Sequence, residues 1–250
     1  ARGHSYRSVE MALQLLGTKR FPLDLITTHR FGLNEVDYAI KSVGGHGAPG
    51  HPRLGNAVEH DDVVLRLVEA IRMLTQAELV DYSGHGSVRR DEASFYINSG
   101  ASIRSALTAA DIVAVDFDGA LREGTAKPPL EFPLHAEIYR ARPDVRVVLH
   151  THPRWSTLLT MVGAPFRPVF PQGALLGDVP VLDSPLSINT RAMGERVAAA
   201  LGSGPALLLK SHGAVVAGGD IVECFALAIY LEENACRQYM AMQIGSPYVF

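Results

Sequence analysis

Cysteine is scarce. The 250 residues hold two, Cys224 and Cys236, and both fall in one stretch of helical pattern, too far apart along it to bridge. That excludes a disulfide framework and fits a reducing compartment. Tryptophan occurs once, at Trp155, and aromatic residues make up 7%. No apolar run approaches the ~18 residues that a membrane-spanning helix needs. The opening "ARGHSYRSVEMALQLLG" lacks the apolar core and cleavage site of a secretory signal. Together these absences point to a cytoplasmic location without membrane attachment. Neither sign of charge dominates, and the net charge of −3 gives no reason to expect nucleic acid. What remains is ordinary globular material, 47% apolar and 20% charged, long enough to bury a substantial core.

Glycine and proline crowd together in "GGHGAPGHPRLGN", residues 44–56, which reads as a linker. Before it, residues 1–43 give a helix (8–16), a strand-like "LDLITTHRF" (23–31) and a helix (33–42), too little to bury a core alone. After it, residues 57–250 alternate strand and helix patterns, which makes an α/β layered domain. Helices are expected over 61–80, 129–144, "STLLTMVG", 189–201 and 220–242. Strands are expected at "FYINS", "DIVAVDFDG", "VRVVLHTH", "FRPVFP", "DVPVLD" and "PALLLKSHG", while "DYSGHGSVRRDEAS" reads as turns.

The chemistry gathers around histidine. In "VVLHTH", His150 and His152 stand two apart on a strand and so face the same way. Such a pair is half of a divalent-metal site, or equally two satisfied structural histidines. His212 closes the apolar strand "ALLLKSHG", with Gly213 beside it to permit close approach. Three histidines would leave open positions on a metal, as catalytic sites do. The carboxylate best placed to join them is Glu131, in the first turn of the preceding helix. His135 shares its face one turn on. A dipole partner is the plain alternative for Glu131, and a carbonyl-bonded core residue for His135.

Two resemblances follow. "PLDLITTHRFGLNEVDYAI" resembles the C-terminal end of medium-chain zinc alcohol dehydrogenases, a part that carries none of that family's site. From about 60 to 245, "GHGSVR", "EFPLHAEIYRARPDVRVVLHTHPRWS" and "LLLKSHGAVVAG" resemble the class II aldolase/adducin family in order and spacing. This resemblance implies a three-layer α/β/α subunit with a central, mainly antiparallel sheet. It implies a homotetramer with the active site at a subunit boundary. It also implies one divalent metal ion, whether zinc, manganese, iron or cobalt, on His150, His152 and His212. Glu131 is then a fourth ligand or the acid/base group, with His135 as a further catalytic candidate.

In the family's sugar-phosphate aldolases, three short polar segments bind phosphate. The first two correspond here to Gly84-His85, near Ser87, and Ser99-Gly100, so His85, Ser87, Ser99 and Gly100 are candidate substrate contacts. The third, a serine pair in those aldolases, is Pro129-Leu130 here. The catalytic tyrosine lent by a neighbouring subunit has no counterpart in "GAPFRPVFPQG". In their place stand Leu130, Phe132, Trp155 and Phe170, which could sit near the metal, with Trp155 either a substrate contact or plain core filling. "PPLE" resembles the branch that decarboxylates hydroxylated aromatic acids, such as dihydroxyphthalate-like or pyridine-dicarboxylate compounds. A metal-dependent decarboxylase of a hydroxylated aromatic carboxylate or dicarboxylate, a small-molecule hydroxy acid, is therefore the leading expectation. An aldolase of a hydroxy-carbonyl compound or sugar phosphate comes second. A non-catalytic adducin-like module and a metal-dependent oxygenase stand behind them.

Overall fold

A computed structural model describes residues 60–250. The expected appendage (1–43) and linker (44–56) lie outside the described residues.

Strand alternation builds the domain. β5 (Val147–Thr151) turns Val147 and Leu149 to one side of the sheet and Val148 and His150 to the other. The same division runs through β1 (His85–Arg89), β2 (Ser94–Asn98) and β3 (Ile112–Asp116). It continues in β7 (Ala206–Leu209) and β8 (Gly213–Gly218), with β4 (Leu121–Glu123) and β6 (Val181–Leu182) as short edges. One eight-stranded sheet results, in the order β4-β3-β2-β1-β5-β8-β7-β6. Only β6–β7 pairs parallel.

Each face has its own apolar core. Leu67, Ile71 and Leu74 of α1 (His60–Gln76) and Leu227 and Leu231 of α5 (Ile221–Ile244) cover Val88, Tyr96, Leu149, Leu208 and Val216. The short α3 (Arg154–Met161) packs on α5 on that side. Leu134, Ile138 and Tyr139 of α2 (Phe132–Ala141) and Val197 and Leu201 of α4 (Arg191–Leu201) cover Phe95, Ile97, Val148, Leu207 and Val215. Three layers, α/β/α, follow from the two cores. Side chains cap the later helices. Thr190 accepts from Met193 N at the start of α4, and Asp220 from Val222 N and Glu223 N at the start of α5.

Several local expectations need correction. "HGSVR" is not a turn but β1, and "GAVVAG" forms β8; glycines hid the alternation of both. At Gly86 a side chain would press on Leu149, Ile71 and Leu67, so glycine lets α1 lie close on the sheet. "FRPVFP" forms no strand. Its Arg167 and Val169 amides donate to Gln238 Oε1 and Asn234 Oδ1, and the Arg167 carbonyl accepts from Asn234 Nδ2. Helix side chains thus satisfy the backbone groups that a sheet would have paired. α2 begins three residues later than expected, because Glu131 is its cap residue and Pro133 opens its first turn.

Candidate metal centre

His85 and His150 are direct partners across β1 and β5, and their rings lie 4.9 Å apart on the α2/α4 face. His152 follows the end of β5, where its amide donates to Leu79 O at 2.8 Å. His212 does not end β7 as expected. It sits in the turn to β8, after Ser211, whose φ of 54° is left-handed. The Ser211 amide is held by Thr160 Oγ1 at 2.9 Å, which fixes that uncommon conformation. A Cβ at Gly213 would collide with Thr151 O and stand 2.8 Å from His152 Cδ2. Glycine is what lets this turn close onto the other two histidines. Ring centroids of His150, His152 and His212 are 4.8, 5.0 and 5.4 Å apart.

Hydrogen bonds fix two of these tautomers. His150 Nδ1–H donates to Ala214 O at 3.1 Å, and His152 Nδ1–H to Asp81 Oδ1 at 2.8 Å. Both Nε2 atoms are therefore left with lone pairs, and they face each other at 3.1 Å. Two lone pairs at that distance repel unless a cation lies between them, so the donor set fits a metal ion. His150, His152 and His212 form one group able to hold an ion, and His85, Glu131 and His150 another. Burial lowers the pKa of His152 and of His212, which keeps both imidazoles available as neutral ligands. Burial also raises the Asp81 carboxyl, but bonds from His152 and the Ser83 and Gly84 amides outweigh it and hold it at about 2. Sequence reading missed Asp81. The Asx turn in "DYSG" was the available signal.

Glu131 lies at the focus. Its carboxylate oxygens stand 3.4 Å from His150 Nε2, 3.6 Å from His85 Nε2 and 3.7 Å from His212 Nε2. Oε1 also accepts from Ile188 N at 2.6 Å. Burial pushes its pKa up, but the facing imidazoles of His150 and His85 and the bond from the Ile188 amide hold it well below the usual carboxylate range. The group is an anion at rest.

His135 does not share this position. It lies wholly buried behind His85, Nε2 to Nδ1 at 2.7 Å, and its own Nδ1 meets Ser87 Oγ at 2.6 Å. Ser87 Oγ in turn meets the Tyr139 hydroxyl at 2.7 Å. Burial brings the His85 pKa down to about 4 and that of His135 well below its ordinary value. Ser87, expected beside the substrate, is a fully buried link of this chain. Tyr139 went unnoticed in the sequence, although Glu131, His135 and Tyr139 recur every four residues along one helical face.

Residues 65–240 match the family model described as Class II Aldolase and Adducin N-terminal domain. The chain belongs to the class II aldolase and adducin family. It is 33% identical over 184 residues to a 3,4-dihydroxyphthalate decarboxylase of Terrabacter sp., covering 68% of this chain and 77% of that one. It is 31% identical over 183 residues to a 5-methylthioribulose-1-phosphate/5-deoxyribulose-1-phosphate aldolase of Rhodospirillum rubrum, covering 72% and 82%. Among solved structures, an L-fuculose 1-phosphate aldolase superposes with a TM-score of 0.71 at 25% identity, covering 78% of this chain and 93% of that one.

The remaining expected contacts of this class II aldolase-family chain divide. Gly100 abuts Pro128 and Pro129, just before Glu131, so the second and third of the polar segments do meet. Arg104, overlooked in the sequence, ties Gly84 to them. Its buried guanidinium donates to the carbonyls of Gly84, Ser99, Gly100 and Ser102. The apolar residues expected around the metal scatter instead. Trp155 rests on Tyr239 and lines a hollow with Glu78, Arg154, Ile229 and Cys236. Phe170 lies under Arg237 and edge-on to Tyr230, Phe132 packs beneath Gly119, and Leu130 is 81% exposed. The three aromatic rings are taken up by these neighbouring side chains, and Leu130 faces solvent.

Proposed function

We propose that this chain is a divalent-metal-dependent carbon–carbon lyase that decarboxylates a hydroxylated aromatic carboxylate or dicarboxylate. The observation that carries the reading is the pair of imidazole lone pairs at 3.1 Å, closed by His212 and faced by the Glu131 carboxylate. His150, His152 and His212 would hold the ion, with Glu131 as a fourth ligand or as the acid/base group. When bound, the ion supplies Lewis-acid stabilisation of a substrate oxyanion and fixes its orientation. As acid/base group, Glu131 takes the phenolic proton and returns it to the ring carbon that bears the carboxylate. The bond to that carboxylate then breaks, carbon dioxide leaves, and the electron pair restores the aromatic ring as a phenolate. A solvent proton neutralises it.

Similarity to a 3,4-dihydroxyphthalate decarboxylase and the Pro129-Leu130 replacement support the aromatic acid as substrate. Similarity to a sugar-phosphate aldolase supports the second reading, in which the same site cleaves a hydroxy-carbonyl compound. A homotetramer with its site at a subunit boundary and a cytoplasmic location belong to the proposal. No helix among the described residues is long and apolar enough to cross a membrane.

The test is metal analysis with a screen for carbon dioxide release from ortho-hydroxy aromatic acids, with and without chelator. Release that stops on chelation and in His150→Ala is the expected result. Release that survives both overturns the metal mechanism, and turnover of a sugar phosphate alone promotes the aldolase reading.

A further inference from the structure

His85 faces the same centre as the metal-holding histidines, and its Nε2 is buried with no hydrogen-bond partner. The metal could recruit it, since it groups with Glu131 and His150. What lies behind it argues otherwise. A ligating histidine commonly gives its far N–H to a carbonyl or carboxylate, as His150 and His152 do here. His85 instead meets the imidazole of His135, which can donate or accept. The direction of that bond is set further back.

Two neutral rings and two hydroxyls share four protons in this chain, one each. If the Tyr139 hydroxyl donates to Ser87 Oγ, Ser87 donates to His135 Nδ1, and His135 Nε2–H donates to His85 Nδ1. All three bonds are short, at 2.7, 2.6 and 2.7 Å. His85 must then carry its proton on Nε2, pointing into the site beside Glu131 Oε2 at 3.6 Å. Reversal fails at its first link. Either Tyr139 must donate to Arg146 O or Ser87 to Val148 O, and each of those contacts is 3.5 Å long. A buried hydroxyl held at that distance has lost most of its bond. The relay runs one way.

We propose that this relay holds His85 as a permanent Nε2–H donor, which hydrogen-bonds an oxyanion of the substrate and does not ligate the metal. His135 and Ser87 are its positioning residues. The inference rests on the functional reading above for the nature of the oxyanion, a carboxylate or phenolate oxygen. A preset donor aimed at developing negative charge needs no reorganisation when that charge forms.

Nitrogen-15 imidazole spectra of the full chain read the tautomer directly, without metal. The expected result is protonated Nε2 and bare Nδ1 at His85; the opposite tautomer overturns the proposal. Ser87→Ala cuts the link that sets the direction and should let the Nδ1–H form of His85 appear. An unchanged spectrum in the folded variant refutes the positioning role. Zinc titration separates donor from ligand. His85→Gln should bind within about threefold of the parent, while His150→Ala loses at least ~100-fold. Equal losses would make His85 a ligand and end the proposal. Salicylate, an ortho-hydroxybenzoate, should move the His85 Nε2 signal, and no movement at saturation rejects the oxyanion role. Failure of the metal reading shows up separately, as no zinc uptake by the parent protein.

Discussion

The two faces of the sheet are made from the same strands and are used differently. Towards α1 and α5, β1 and β5 present Val88, Val147 and Leu149 to an apolar layer. Towards α2, the intervening positions are Val148 and four polar residues, His85, Ser87, Arg89 and His150. Buried polar groups need partners, so α2 brings its own polar stripe of Glu131, His135 and Tyr139 to meet them. Arg89 completes the match by donating to the carbonyls of Val145, Tyr139 and Arg142. One face supplies stability through packing, and the other spends part of its area on chemistry.

That division can be challenged by substitutions on either side of one strand. The largest effect is expected from His150→Ala, which should abolish stoichiometric zinc uptake by elemental analysis while the protein stays folded. Leu149→Ala, next door and facing away, should lower stability by ~2–5 kcal/mol in urea titration. Zinc uptake by its folded fraction should be unchanged. If Leu149→Ala also loses the metal, the faces are not independent. Asp81→Asn should weaken zinc by about 10–100-fold, because His152 loses the carboxylate that sets its tautomer; calorimetric titration reads this.

The smallest effect is a slope with pH. The folded pKa of His85 lies at about 4, below its ordinary 6.5, because of burial. Between these values the unfolded chain binds the proton and the folded chain does not, so stability falls as pH falls through that window. His85→Gln should flatten this part of the curve in the metal-free protein. An identical slope in parent and variant would assign it to other groups.

Much of the site was readable in advance because its residues are local. His150 lies in a strand with His152 two residues on, just past its end, and Glu131 and His135 are four apart near a helix start. Gly213 beside His212 marked a close approach, although what approaches is the neighbouring pair of histidines. The two glycine-bearing strands were not readable, since "HGSVR" and "GAVVAG" interrupt the apolar alternation that identifies a strand. Trp155 and Phe170 were placed by chemistry alone, and packing sent them elsewhere.

Local periodicity and residue type thus settled which side chains share a face, and so which could act together. Only the folded sheet decided their partners. His85 and His135 lie 50 positions apart, Asp81 and His152 71 apart, and no short-range pattern links either pair. Strand order placed β1 beside β5, which brought His85 opposite His150 and set α2 above both. Hydrogen-bond direction, which fixes each imidazole as lone pair or donor, depends on groups that meet only across the sheet.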